Sequence, residues 1–248
     1  HKVKILRSAI QQVTDEDLPT GSVNLVVTDP PYFDQVAYSE YLALWEFFTG
    51  FASTYEGEVV QSNRVNSPMN RNAYLESITA SFERVFRSAA DDSCAVVFFK
   101  DSKLRNLADF IHAVERAGWR FVGQHHVGKT TFTYKQNTTP ETTVAGDCLV
   151  LFIPSLGSKQ VIDSDDHQHD TSICSNLVSS IAKAYVRKHG PTSLSELYDN
   201  ALVPGLIRTG CLQTFATSRE IVELISQQLT FNSTSRLYDL QELGVEHD

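Results

Sequence analysis

Glycine-rich loops, paired cysteines and long apolar runs are all missing from this chain of 248 residues, and each absence removes a class of protein. The 12 glycines are scattered and no Gly-x-Gly occurs, so no glycine-built ligand loop can be read. Cysteine is scarce. Cys94, Cys148, Cys174 and Cys211 lie far apart without a C-x-x-C pair, and two of them fall inside predicted strands. This pattern predicts small buried hydrophobes rather than a disulfide framework or a zinc site, and with them a reducing, cytoplasmic compartment. No apolar stretch approaches the roughly eighteen residues that span a bilayer, and the N-terminus has no signal-peptide pattern. Cations are outnumbered, 21 Lys and Arg against 30 Asp and Glu, for a formal charge of −9. Such a balance excludes a protein that coats nucleic acid by phosphate neutralisation, while leaving room for a local basic groove.

The chain does have enough apolar residues, 42% of the total, to bury a full core. Its most informative segment is Asp29-Pro30-Pro31-Tyr32. This follows the apolar run 23–28, which reads as a buried parallel strand. Two consecutive prolines fix φ, remove two backbone donors and block helix continuation, so the chain leaves the sheet extended with its carbonyls free to accept hydrogen bonds. In open α/β sheets, ligands bind at the carboxyl ends of strands. An exocyclic amine such as adenine N6 has two N–H groups to satisfy, and the Asp29 carboxylate and the Pro30 carbonyl are the nearest acceptors. Tyr32 can stack on the base. A plain turn is the competing explanation, since Asp and Pro are ordinary turn residues. The strand before the tetrapeptide and the aromatic-rich helix after it favour the binding reading.

Thr28-Asp29-Pro30-Pro31-Tyr32-Phe33-Asp34-Gln35-Val36-Ala37-Tyr38-Ser39-Glu40 resembles the motif of S-adenosylmethionine-dependent amino-methyltransferases, and is closest to adenine-specific DNA methylases of restriction-modification type. The resemblance spans residues 1–153, with its specificity in 28–40. It implies a class I methyltransferase-like, Rossmann-like α/β sheet. It also implies that Asp29 and Pro30 hold the target amino group and that Tyr32 stacks on the flipped base. Asp29, Pro30, Pro31 and Tyr32 are accordingly expected to be catalytic, Asp29 and Pro30 to border the cofactor, and Tyr32, Phe33, Tyr38 and two lysines of a local basic groove, Lys100 and Lys129, to contact the substrate. The implied cofactor is S-adenosylmethionine and the implied partner is nucleic acid, DNA ahead of RNA, with no metal. Family members hold the methionine part of the cofactor on a Phe-x-Gly-x-Gly loop, which this chain does not show. That loop is expected upstream of His1, on a partner chain, or lost altogether. RNA base methylation and a non-catalytic binding subunit are the rival functions.

Hydrophobic periodicity supplies the remaining elements. Short strands are expected at 3–6 and 23–28, with a helix from Ser39 to Phe51 whose Tyr41, Leu44, Trp45 and Phe48 pack under the sheet. A polar loop fills 52–72, followed by an amphipathic helix from Ala73 to Ala89, a strand at 94–99, a helix from Leu104 to Ala117 stopped by Gly118, and strands from Trp119 and from Asp147 that form a closing hairpin. Lys103, Arg105, Lys135, Arg64 and Arg71 are further groove candidates. The domain reading is a catalytic part at 1–154, a linker at 155–170 and an α-helical appendage at 171–248. The linker's His167 and His169 lack a third ligand. His125 and His126, adjacent in a strand, point to opposite faces and cannot act together.

Overall fold

The computed structural model describes residues 3–33, 38–51, 59–60, 69–99, 103–127, 147–155 and 170–241. It is an α/β protein. Strands β1 (Val23–Thr28), β2 (Ala89–Phe99), β3 (Trp119–Val127) and β4 (Asp147–Pro154) form a four-stranded sheet in the order β1-β2-β4-β3. Helices α1 (Tyr38–Thr49), α2 (Arg71–Phe86) and α3 (Leu104–Arg116) are interleaved with these strands. Two compact units divide the chain. The first comprises His1–Asp101, Asp109–Phe121 and Leu151–Val161, and the second comprises Ser102–Ala108, Val122–Val150 and Ile162–Asp248.

In the first unit β1 pairs parallel to β2, with Val26 opposite Ala95 and Thr28 opposite Val97, so Asp29 leaves the sheet beside the end of β2. Alternation along β2 sends Ala95, Val97 and Phe99 into the core. There Phe99 meets Phe110 of α3 at 5.0 Å between ring centroids, and Phe110 meets Phe82 of α2 at 6.1 Å. The buried stripe of α2 is Tyr74, Ile78 and Phe82, spaced by four residues. Asn70 caps this helix by accepting a hydrogen bond from the Ala73 amide at 2.9 Å. Arg84, also buried, reaches from α2 to the carbonyls of Val13, Thr14 and Leu18 and so fastens the N-terminal segment. Gly118 ends α3 at φ +100, where a Cβ would stand 2.9 Å from the Phe86 ring, so only glycine fits.

Several sequence expectations fail in this unit, each for a physical reason. The segment 3–6 forms no strand, and Val3 and Ile5 are exposed, because no partner strand lies beside them among the described residues. β1 is parallel as expected but is not buried on both faces: Leu25 and Val27 stay exposed, as does Phe98 on β2. An apolar run shows that both faces could be covered, not that both are. α1 shows the same shortfall. Tyr41, Leu44, Trp45 and Phe48 do not pack under the sheet, with Trp45 65% and Phe48 72% exposed. β2 begins at Ala89 rather than Cys94, since its polar start is recruited by pairing with Val23.

The second unit has its own core. Helix α4 (Thr171–His189) is followed by the short α5 (Leu194–Leu197), a π-helical turn at Tyr198–Leu202, α6 (Val203–Arg208) and α7 (Ser218–Ser226). Leu197, Leu202, Leu206, Leu212 and Ile221 are fully buried here. The C-terminal segment, read as wholly helical, also contains a hairpin of β5 (Leu229–Asn232) and β6 (Leu237–Leu240). The alternation Leu229-Thr230-Phe231-Asn232 is the strand signal that the helical reading passed over.

One cysteine expectation is overturned. Cys174 on α4 and Cys211 after α6 are joined in a disulfide with Cα atoms 5.5 Å apart, leaving Cys94 and Cys148 as free thiols. Their separation of 37 residues hides a proximity that only helix packing creates. Closing a loop of this length is worth about 2–4 kcal/mol. Urea unfolding should therefore show the Cys174→Ala/Cys211→Ala protein less stable than its parent by about that amount, and thiol titration of the unreduced, unfolded parent should find two free thiols. Four titratable thiols with an unchanged midpoint would remove the bridge.

Candidate functional site

The segment after β1 is built from carbonyls and rings, because its prolines can donate nothing. Asp29 is exposed, Pro30 is buried, and Pro31 and Tyr32 are half-buried. The Tyr32 hydroxyl donates to the Asp29 carboxylate. The Tyr32 ring meets the edge of Phe99 at 5.6 Å, interplanar angle 78°, which sets it at the rim of the Phe99–Phe110–Phe82 aromatic core. The Pro31 carbonyl accepts a hydrogen bond from the buried Tyr74 hydroxyl at 2.6 Å. The Pro30 carbonyl accepts nothing from the described residues. Two acceptors therefore stand at the strand end, the Asp29 carboxylate and the Pro30 carbonyl, and the next carbonyl along is already engaged.

Phe33 lies behind this segment at 4% exposure, its ring 4.4 Å from Tyr74 and 4.5 Å below the Arg71 guanidinium. Arg71 also binds Asp109 of α3 through Nε at 3.0 Å and through Nη2. The expected role of Phe33 as a substrate contact thus meets a buried ring, and Arg71, expected in a basic groove, is clamped by a carboxylate. Tyr38 opens α1. Lys100, Lys129, Lys135 and Arg64 lie outside the described residues. Lys103 and Arg105 are exposed and belong to the second unit. No group of three or more His, Cys, Asp or Glu able to hold a metal occurs among the described residues.

The residues that sequence reasoning missed are Arg71, in its actual role, and Tyr74. Both sit in the first turn of α2, which begins two residues before its predicted start. The overlooked signal was Asn70, a good N-cap residue with a helix former three positions on.

A second polar cluster lies within the second unit. Asp199, 4% exposed on the π-helical turn, accepts hydrogen bonds from the Gln124 amide at 3.0 Å and the His126 backbone N–H at 2.6 Å, and its Oδ1 stands 2.6 Å from His126 Nδ1. His125 is exposed, so the two histidines do point to opposite faces. Burial, with the negative charge of Asp199 adding to it, pushes the Cys148 thiol up to about 12 and raises Tyr198 as well, so neither is an anion at neutral pH. The cluster reads as structural. Because the buried Asp199 carboxylate binds the Gln124 amide and both the backbone N–H and the ring of half-buried His126, Asp199→Ala should destabilise the fold by about 3–5 kcal/mol, measured by denaturant unfolding. A loss below about 1 kcal/mol would show the donors resatisfied by water.

No family model matches this chain, and no curated protein does. Among solved structures, it is similar to a provisionally named DNA modification methylase from Thermus thermophilus, at 15% identity and a TM-score of 0.34 over 75% of this chain and 74% of that one. The selenomethionine derivative of the same protein gives 15% identity and a TM-score of 0.32, over 70% and 69%. A likeness this loose fixes neither fold nor activity.

Proposed function

We propose that this chain binds the exocyclic amine of a nucleobase, adenine N6 in DNA as the favoured substrate, and takes part in its methylation from S-adenosylmethionine. The observation that carries this reading is the pair of acceptors at the end of β1: an exposed Asp29 carboxylate and a Pro30 carbonyl that no described residue claims. An amino group with two N–H bonds matches two acceptors on one short segment. Tyr32, half-buried at the rim of the aromatic core, suits a flipped base, since extrusion costs a few kcal/mol that stacking offsets.

The residues present fit the amine end of such a site and not the whole cofactor. The chain has no Gly-x-Gly on which the methionine part could be held. When bound, S-adenosylmethionine supplies an electrophilic methyl group. What this chain's own residues contribute is orientation: Asp29, through the carboxylate oxygen that Tyr32 does not hold, and Pro30 fix the amine. Catalysis of this kind is positioning and electrostatics, with no strong base required.

In a methyl-transfer assay with labelled S-adenosylmethionine, adenine-containing DNA and matching RNA oligonucleotides separate the two substrates. Asp29→Ala is expected to lower transfer by at least about tenfold to a hundredfold, the worth of one charge-assisted hydrogen bond at roughly 1.5–3 kcal/mol. Tyr32→Phe should keep most activity and Tyr32→Ala should lose about one to two orders of magnitude, since base stacking is worth about 1–3 kcal/mol. Parental turnover in Asp29→Ala would remove the carboxylate from the reaction. Nucleic-acid binding with no transfer, unchanged by Asp29→Ala, would favour a binding subunit that keeps the fold without the chemistry.

A further inference from the structure

We infer that Tyr74 and Arg71 are positioning residues that set the orientation of the Asp29–Tyr32 segment, a role that rests on reading this segment as the amine-binding one. Between Asp29 and Tyr32 the chain has few soft torsions. Both proline rings hold φ near −65° and the peptide bonds are planar, so the ψ angles of Pro30 and Pro31 are what remain. Rotation about ψ of Pro31 swings the peptide that carries its carbonyl, and with it the whole Tyr32 side chain. The Tyr74 hydroxyl holds that carbonyl at 2.6 Å and so stops the rotation.

The far side of Tyr32 is anchored as well. The Phe33 ring is held by two contacts, with the Tyr74 ring at 4.4 Å and with the Arg71 guanidinium over its face at 4.5 Å. Tyr32 therefore sits between two fixed points, a gripped carbonyl before it and a clamped ring after it. Both come from one turn of one helix, since Arg71 and Tyr74 are three residues apart and share a face.

The placement of Arg71 argues that the clamp is specific. A cation in the first turn of a helix opposes the macrodipole and is unfavourable there unless something else holds it. Here Asp109 binds it from α3 through two guanidinium nitrogens, which fixes the plane of the guanidinium over Phe33. Tyr74 is fully buried, where a hydroxyl needs a partner, and the Pro31 carbonyl is one that its own segment cannot satisfy.

The test uses the full chain with 3-fluorotyrosine placed at position 32, in the parent and in the Tyr74→Phe and Arg71→Lys variants. Tyr74→Phe keeps the ring against Phe33 and removes only the hydroxyl. Its thermal midpoint should stay close to the parent's, while the ¹⁹F resonance shifts and broadens as Tyr32 samples more than one orientation. With labelled S-adenosylmethionine and an adenine-containing oligonucleotide, kcat should fall by about tenfold to a hundredfold, the cost of losing alignment, with little change in KM. Arg71→Lys keeps the charge for Asp109 but loses the flat stacking surface, and should move the ¹⁹F line in the same direction by less. It gives the same reading if Tyr74→Phe does not fold. An unchanged, narrow ¹⁹F line in both variants, or a kcat equal to the parent's, overturns the inference. A parent that transfers no methyl group removes the amine-binding reading alone, and a ¹⁹F line disturbed by Tyr74→Phe then still supports the brace.

Discussion

Two consecutive prolines govern this site, because a segment that cannot donate a backbone hydrogen bond can be held only through its carbonyls and its side chains. β1 delivers Asp29 beside the end of β2, and from there no ladder continues. The Pro31 carbonyl goes to Tyr74, the Phe33 ring goes into the space under Arg71, and the Tyr32 ring abuts Phe99. What is left over, the Asp29 carboxylate oxygen that Tyr32 does not hold and the Pro30 carbonyl, is what a ligand can use. The site is therefore the remainder after the fold has claimed every group it needs.

The supporting shell follows from ordinary core packing. Phe82, Phe99 and Phe110 run from the centre of the first unit to the back of Tyr32 in successive ring contacts. Such rings interdigitate in fixed rotamers, so the wall behind Tyr32 resists displacement. The exposed side offers a contrast. Leu25, Val27 and Phe98 leave part of one sheet face uncovered, and Tyr41, Trp45, Phe47 and Phe48 of α1 are likewise open to solvent. A helix apolar on most of its surface is ordinarily a buried one, so exposure here is energetically unfavourable.

Much of the architecture was legible in the residues. The parallel strand before Asp29, the helix closed by Gly118, and the strands from Trp119 and from Asp147 all stand where apolar periodicity and glycine punctuation placed them. In these segments long periodic runs and a positive-φ glycine leave little choice. The legibility of the site stopped at its own four residues. Tyr74 drew no notice within its helix, and Arg71 looked like a loop cation, because nothing local tells a tyrosine that its hydroxyl will find a carbonyl forty-three residues earlier. Likewise, Asp199 carries no sequence signal of its role. It becomes the partner of Gln124 and His126 only once the π-helical turn and β3 meet.

By itself, the sequence determined the α/β order, the extended exit from β1 and the chemistry available there, since each depends on local φ restriction, short-range periodicity and the acceptor inventory of Asp29 and Pro30. The tertiary structure alone decided which acceptors stay available, which cysteines pair and which faces are covered. These are outcomes of contacts between residues distant along the chain, as with Cys174 and Cys211 at a separation of 37 residues or Arg71 with Asp109. Local propensity fixes what a segment can present, but burial and pairing are settled only when another segment arrives to claim a group, and no pattern within the first segment encodes that arrival.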